Sequence, residues 1–277
     1  MKEEKSKPLK SVTTGIATDD LYYLTPPLIE ALLQSTISVN ALRLLHALLH
    51  LICREIETRK HPGPYVNRPL RIRSALLREK CGWGSSKGNR ELSPALDELL
   101  ETGWFDVLKH LHDGLWVEVC FDQAVIDTND KSGGYALHDI SLLPKLRTVL
   151  DIKLAMLVCT HRRKQYPKFS LTVSQLAYLD NSDTDDWSKL RPKVVRGLQC
   201  VSEHFNLWTC VYLGEAGMKR GIDTITVFPL MTARDRSMRN LLKVKPDIRR
   251  AIIISRDQAV DCRPDSLFHL INSQSPL

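Results

Sequence analysis

The sequence lacks the apolar runs, the leader and the cysteine pairs that mark membrane and secreted proteins. Its longest apolar stretch, Leu42 to Cys53, is broken by Arg43, His46 and His50, far from the roughly 20 clean apolar residues of a spanning helix. Met1 to Lys10 is charged, and no apolar segment of about 7 to 15 residues follows it. Neither a transmembrane span nor a signal peptide is expected, and the protein is expected to be cytoplasmic. The seven cysteines, at 53, 81, 120, 159, 200, 210 and 262, include no C-x-x-C pair. A disulfide framework or cysteine zinc site is therefore disfavoured, and most are expected to be small buried apolar residues. There is no Walker loop, so ATP-driven chemistry is not expected. Gly82-x-Gly84-x-x-x-Gly88 follows a helix and misses the dinucleotide fingerprint. His46 and His50 are spaced i, i+4 without the glutamate of a zinc protease, which leaves them as polar edges of a core helix. No cofactor or metal is expected.

What is present is ordinary in amount and uneven in placement. The 277 residues, 43% apolar and 26% charged, match a soluble globular chain with room for two domains. Lys and Arg number 39 against 32 Asp and Glu, a net charge of +7 that leans toward polyanionic partners.

Val39 to Glu57 carries Leu42, Leu45, Leu49 and Ile52 at helical spacing, with Ser38 as N-cap and His61-Pro62-Gly63-Pro64 as stop. A short alternating strand (Leu70 to Arg73), a short helix to about Lys80, and a turn at Gly82 to Ser86 follow. A second helix, Lys87 to Thr102, precedes a hairpin of Trp104 to Leu108 and Leu115 to Phe121 around Asp113-Gly114. After the polar linker Asn129 to Gly134 the same order recurs. It comprises a helix from Leu142 to about Gln165, a strand at Phe169 to Thr172, a helix at Val173 to Leu179 and an acidic turn at Asn181 to Asp186. A helix to about Glu203 and a hairpin of Leu207 to Leu213 and Ile222 to Phe228 complete it. The residues repeat too: Leu92-Ser93-Pro94 lies 98 positions before Leu190-Arg191-Pro192, and both helices lead into a tryptophan-bearing strand. The expected fold class is α+β, two tandem winged-helix domains, each a helical bundle with a β-hairpin wing. The boundaries fall at 25–130 and 138–230, with a linker at 131–137, a flexible basic tail at 1–24 and a basic extension at 231–277.

Three stretches resemble the tandem winged-helix, iteron-binding replication initiators of theta-replicating plasmids. Trp187-Ser188-Lys189-Leu190-Arg191-Pro192-Lys193-Val194-Val195-Arg196-Gly197-Leu198, followed by a wing, is similar to that family's basic helix with its Leu-x-Pro element. Cys81-Gly82-Trp83-Gly84-Ser85-Ser86 before a helix is similar to the Gly-Trp turn of some members, and the tandem arrangement over about residues 25 to 230 is the third likeness. The first copy departs from the pattern in having a less basic helix. The resemblance implies a non-enzymatic plasmid initiator whose partners are double-stranded DNA and host replication proteins, with a homodimer as a further state.

A helix-turn-helix reader places the N-terminal residues of its second helix against base edges while other groups hold phosphates. In the second copy the candidates are Ser188, Lys189, Arg191, Lys193 and Arg196, four cations within two turns with no acid between them. Like charges at this spacing repel, and a phosphate or guanine edge would relieve the repulsion. Pro192 must either kink this helix or mark its first turn. In the first copy the candidates are Ser86, Lys87, Asn89 and Arg90. Supporting cations are Arg68, Arg71 and Arg73 at the short strand, His161, Arg162, Arg163, Lys164 and Lys168 at a loop, and Lys219 and Arg220 on the second wing. Met231 to Ala251 holds seven cations against two acids and either tracks DNA or is a mobile tail. Asp180, Asp183, Asp185 and Asp186 read as a solvated turn favouring the next helix N-terminus. Two rival functions stand beside initiation: a winged-helix transcriptional regulator, and a metal-dependent DNA-nicking enzyme using His110 and His112, which strand alternation would place on one face. A winged helix serving as a protein adaptor is a further alternative.

Overall fold

Two prolines open the first helix at the one place where proline removes no hydrogen bond. In the computed structural model, which describes residues 18–58, 68–84, 88–131, 134–164, 166–215, 221–230 and 250–263, strand β1 (Leu21–Leu24) leads into α1 (Pro26–Gln34) with Pro26 and Pro27 in its first turn. Helix α2 (Val39–Thr58) starts where Ser38 Oγ accepts the Ala41 N–H at 3.2 Å. The proposed stop at residues 61–64 lies outside the described residues. Strand β2 (Leu70–Arg73), helices α3 (Ser74–Lys80) and α4 (Leu92–Leu100), and strands β3 (Phe105–Leu111) and β4 (Trp116–Phe121) complete the first half. After α5 (Gln123–Thr128) and β5 (Ala136–Asp139), the second half runs α6 (Val149–His161), β6 (Phe169–Thr172), α7 (Val173–Leu179), α8 (Trp187–Phe205), β7 (Trp208–Glu215) and β8 (Ile222–Leu230). Strands β9 (Arg250–Ile254) and β10 (Ala259–Cys262) follow.

The chain is α+β with antiparallel sheets. Helix, strand, helix, helix, hairpin occurs in both halves, and the strands pair in the same spatial order each time: β2-β4-β3 in the first half and β6-β8-β7 in the second.

The structure departs from the sequence expectations in several places, each with a physical reason. The helix expected from Leu142 is two pieces. A 3-10 segment, Ile140–Lys145, contains Pro144, and a fresh helix begins at Val149 because Thr148 and Asp151 form a reciprocal capping box. Helix α4 begins at Leu92 rather than Lys87, so Pro94 falls in its first turn, where its missing N–H costs nothing. The tail expected to be flexible contains β1, which pairs antiparallel with β5. The extension expected beyond Leu230 is partly sheet: β9 pairs with the flank of β7 opposite β8, and β10 pairs with β9. Residues 231–249 of that extension lie outside the described residues. The cysteines at 53, 81, 120, 159 and 210 are buried and free. Among the described residues no helix is long and apolar enough to cross a membrane.

The halves meet through polar contacts as well as apolar ones. Lys153, fully buried on α6, donates to Ser35 O at 2.6 Å in the α1–α2 connection. Tyr178 Oη donates to Gln34 O at 2.7 Å and Asn181 Nδ2 to Thr36 O at 3.1 Å. Arg43 on α2 donates to the Leu146 carbonyl. Behind this seam Tyr22 hydrogen-bonds with His46 Nδ1 at 2.5 Å, and its ring contacts those of His46, His50 and His138. All three histidines are at least 96% buried. The two polar edges of a core helix are thus core residues. Burial pulls His46 down to about 4 and pulls His138 well below the ordinary value, with His46 and Arg162 adding to the effect.

This cluster sets an acid limit on stability. Between about pH 6.5 and 4 the unfolded His46 binds a proton that the folded one refuses, so stability falls as pH drops through that window. For His46 the loss amounts to about 3 kcal/mol once the window is crossed. Urea midpoints measured from pH 7 to 4.5 are expected to fall steadily; a flat profile would contradict the neutral, buried placement of these rings.

Candidate nucleic-acid interface

The helix that carries most candidate residues is defined at its start by one acid. Asp186 Oδ1 accepts the Ser188 N–H at 2.9 Å and the Ser188 hydroxyl at 2.8 Å. These bonds from Ser188 hold the Asp186 carboxyl below the usual carboxylate range. Helix α8 then runs unbroken from Trp187 to Phe205 with Pro192 inside it. Pro192 therefore does not mark the first turn, and since it has no N–H the Ser188 carbonyl lacks its helical donor. Ahead of α8, α7 is capped by Thr172 and Gln175, and the turn between them passes through Asn181 at φ 53°. Leu190, Val194, Gly197, Leu198 and Val201 form the buried face.

Gly197 makes the packing of α8 on α6 possible. A Cβ there would stand 2.9 Å from Asp151 Oδ1 and 3.3 Å from Asp151 Cα. At that close approach Arg196 reaches across and donates to Asp151 Oδ1 at 3.0 Å, Oδ2 at 3.1 Å and Thr148 Oγ1 at 3.2 Å.

The expectation that DNA relieves the repulsion along this basic helix is not needed, because acids from other elements already do so. Lys193 pairs with Asp180 at 2.5 Å and Arg196 with Asp151, and both carboxylates are nearly fully buried. Arg191 pairs with Asp261 of β10 at 2.6 Å. Three of the four cations are thus neutralised by acids from other elements, and the repulsion that DNA was expected to relieve is already relieved. Ser188 and Lys189 are exposed on the first turn, and Lys189 makes no ion pair among the described residues. Asp180 is likewise not the solvated residue expected of its turn. Arg162, expected at a phosphate clamp, is buried with its guanidinium 3.6 Å from the Phe205 ring centroid.

In the first half, Asn89 and Arg90 lie in the turn before α4 and not on a helix. Asn89 is used up structurally: its amide donates to Gly114 O at 2.9 Å and accepts from Arg78 at 2.7 Å, tying the turn to the tip of the β3–β4 hairpin. Arg90 is exposed. Arg71 donates to Glu118 at 3.2 Å, a carboxylate shared with Lys109 at 3.3 Å. The hydrogen bonds from Arg71 and Lys109 hold Glu118 below its ordinary value. Arg73 lies over the Trp116 ring at 5.4 Å. Beside it is a cleft of about 310 Å³ lined by Arg73, Arg78, Leu115 and Trp116 among others, which the sequence did not reveal because β2, α3 and the hairpin tip build it together. Ser86, Lys87, Lys219 and Arg220 lie outside the described residues.

The paired histidines do not share a strand face. Strand β3 ends at Leu111, and His112 sits in the turn at φ 50°, while His110 Nε2 hydrogen-bonds with Ser93 Oγ at 3.0 Å. Among the described residues no group of three or more His, Cys, Asp or Glu could hold a metal ion.

Comparison with known proteins places the fold. No protein-family model matches the chain, and no curated protein matches it in sequence. Among solved structures, the fold is similar to that of the Pi initiator protein in complex with iteron DNA, with a TM-score of 0.57 at 12% identity, covering 77% of this chain and 98% of that one.

Gly197→Ala tests the α6–α8 contact. A surface helical glycine would gain about 1 kcal/mol on becoming alanine, but here the Cβ must displace Asp151, and a net loss of about 1–3 kcal/mol in urea denaturation is expected. A gain in stability would contradict the close approach.

Proposed function

We propose that this protein is a sequence-specific DNA-binding replication initiator of a plasmid, built from two tandem winged helices, which binds repeated origin sites and recruits host replication proteins. It acts in the cytoplasm and carries out no catalysis of its own. The observation that carries the reading is the start of α8, the helix that follows α7 and its turn, where Ser188 and Lys189 are exposed and Arg191 is half-exposed. The similarity in fold to an initiator solved on iteron DNA supports the choice of ligand. Repeated strand order in the two halves supports the tandem arrangement.

The roles divide by chemistry. Arg191, whose guanidinium can form two parallel hydrogen bonds to guanine N7 and O6, is the base reader, and Lys189 and Ser188 hold phosphate or the adjoining base. Lys193 and Arg196 orient α8 through their buried acids and act on DNA only by their charge. In the first half, Arg73, Arg78 and Arg90 contact backbone phosphates around the hairpin. The long-range pull of these cations adds affinity that is blind to sequence and sensitive to salt.

The test is binding of the full chain to a duplex selected from a random-sequence library. Arg191→Ala is expected to cost about 1–3 kcal/mol on that duplex and to relax the preference at one base position. Lys189→Ala is expected to weaken all duplexes alike and to reduce the slope of log affinity against log salt by about one. Salt-independent binding, or an Arg191→Ala variant with unchanged affinity and preference, would remove α8 from the interface. Direct repeats beside an AT-rich stretch near the gene would favour initiation; a lone palindrome would favour a transcriptional regulator.

A further inference from the structure

The three acids that partner α8 are not equivalent. Asp180 and Asp151 are 4% and 3% exposed, and their ion pairs with Lys193 and Arg196 belong to the packed interior edge of the helix. Asp261 is different: it stands on β10, the edge strand of the five-stranded sheet, with 55% of its side chain exposed, whereas the cations are alike, Arg191 being 40% and Lys193 and Arg196 each 42% exposed. The pair is made through Arg191 Nη2 alone, and the Arg191 Nε–H is shielded from water without a partner. Its other terminal nitrogen, Nη1, makes no hydrogen bond among the described residues and is the donor to spare. An exposed pair of this kind is weak, about 0–1 kcal/mol, and exchanges readily for a better acceptor. A guanine edge, which takes two donors at once, is such an acceptor; a single phosphate oxygen in place of a carboxylate oxygen is a near-even trade.

We propose that Asp261 is a specificity-determining residue: its carboxylate competes with DNA for Arg191, so that the guanidinium is released to a matching base edge but stays with Asp261 on duplexes that lack one. The inference rests on the reading that α8 binds DNA. On a non-matching duplex Arg191 then adds no phosphate contact. On a matching duplex the bidentate contact outweighs the lost ion pair. Asp261 touches no base; it acts by positioning Arg191, and it does so from the part of the chain that the sequence marks only as a basic extension.

The experiment measures binding of the full chain to two duplexes across a salt series, one selected from a random-sequence library and one of the same composition in scrambled order. Asp261→Asn removes the charge at constant shape. It is expected to tighten binding to the scrambled duplex about 3- to 10-fold at low salt and to steepen its salt slope by about one, the signature of one added phosphate contact. The selected duplex is expected to gain less, so discrimination narrows. Asp261→Glu, which keeps the charge, is expected to stay near the wild type, and in an Arg191→Ala background Asp261→Asn is expected to leave the scrambled salt slope unchanged. Equal tightening on both duplexes, no change on the scrambled one, or a slope change that persists without Arg191 would each overturn the proposal. If the unaltered chain binds neither duplex in a salt-dependent way, the DNA reading falls and the proposal with it; if it binds and Asp261→Asn has no effect, the proposal alone falls.

Discussion

The second half of the molecule depends on the satisfaction of one buried carboxylate, that of Asp151. It lies 2% exposed, where an unpaired charge would cost several kcal/mol. Its oxygens accept from Arg147 N at 2.8 Å, Thr148 N at 2.9 Å and the Arg196 guanidinium. The first two bonds begin α6; the third fixes α8 against it beside Gly197, where the missing Cβ lets the helices come close. Once that crossing is set, the register of α8 is set, and with it the direction in which Ser188, Lys189 and Arg191 face. An interior charge network thus positions a surface that carries the proposed function.

The same device joins the two halves. Lys153 sits on α6 two residues beyond Asp151 and reaches the α1–α2 connection, which Tyr178 at the end of α7 and Asn181 in the turn after it also grip. Burial pulls Lys153 down to about 8. The β1–β5 pair and the Tyr22 cluster with His46, His50 and His138 close the seam from the other side. Apolar packing supplies most of the favourable free energy in such a core, but these directional bonds determine which way one half faces the other. If both halves contact one duplex, their fixed relation becomes part of the recognition.

Much of the fold was legible because it rests on local periodicity. The stripe of Leu42, Leu45 and Leu49 in α2, the alternation in β2 and β6, and the hairpins β3–β4 and β7–β8 follow from spacing alone. The elements that escaped are short strands paired across long separations, β1 with β5 and β9 with β7, whose residues carry no pattern until a partner is present. Helix α6 is buried from Leu150 through Cys159 on every face, so no apolar stripe marks its true start. For the site, cation positions could be read along the helix, but their partners could not: Asp151 and Asp261 are 45 and 70 positions from Arg196 and Arg191. Ion pairing of that range leaves Arg191 as the one of these three cations whose acid is exposed rather than buried.

The claim at the centre is that the first turns of α8 enter a major groove with Arg191 against guanine. Methylation interference on the selected duplex tests it most directly, since methylating guanine N7 blocks the major-groove edge and methylating adenine N3 blocks the minor groove. Loss of binding at one or two guanine N7 positions per site, removed by Arg191→Ala, is the predicted result. Interference confined to adenine N3, or a guanine pattern that Arg191→Ala leaves unchanged, would contradict it.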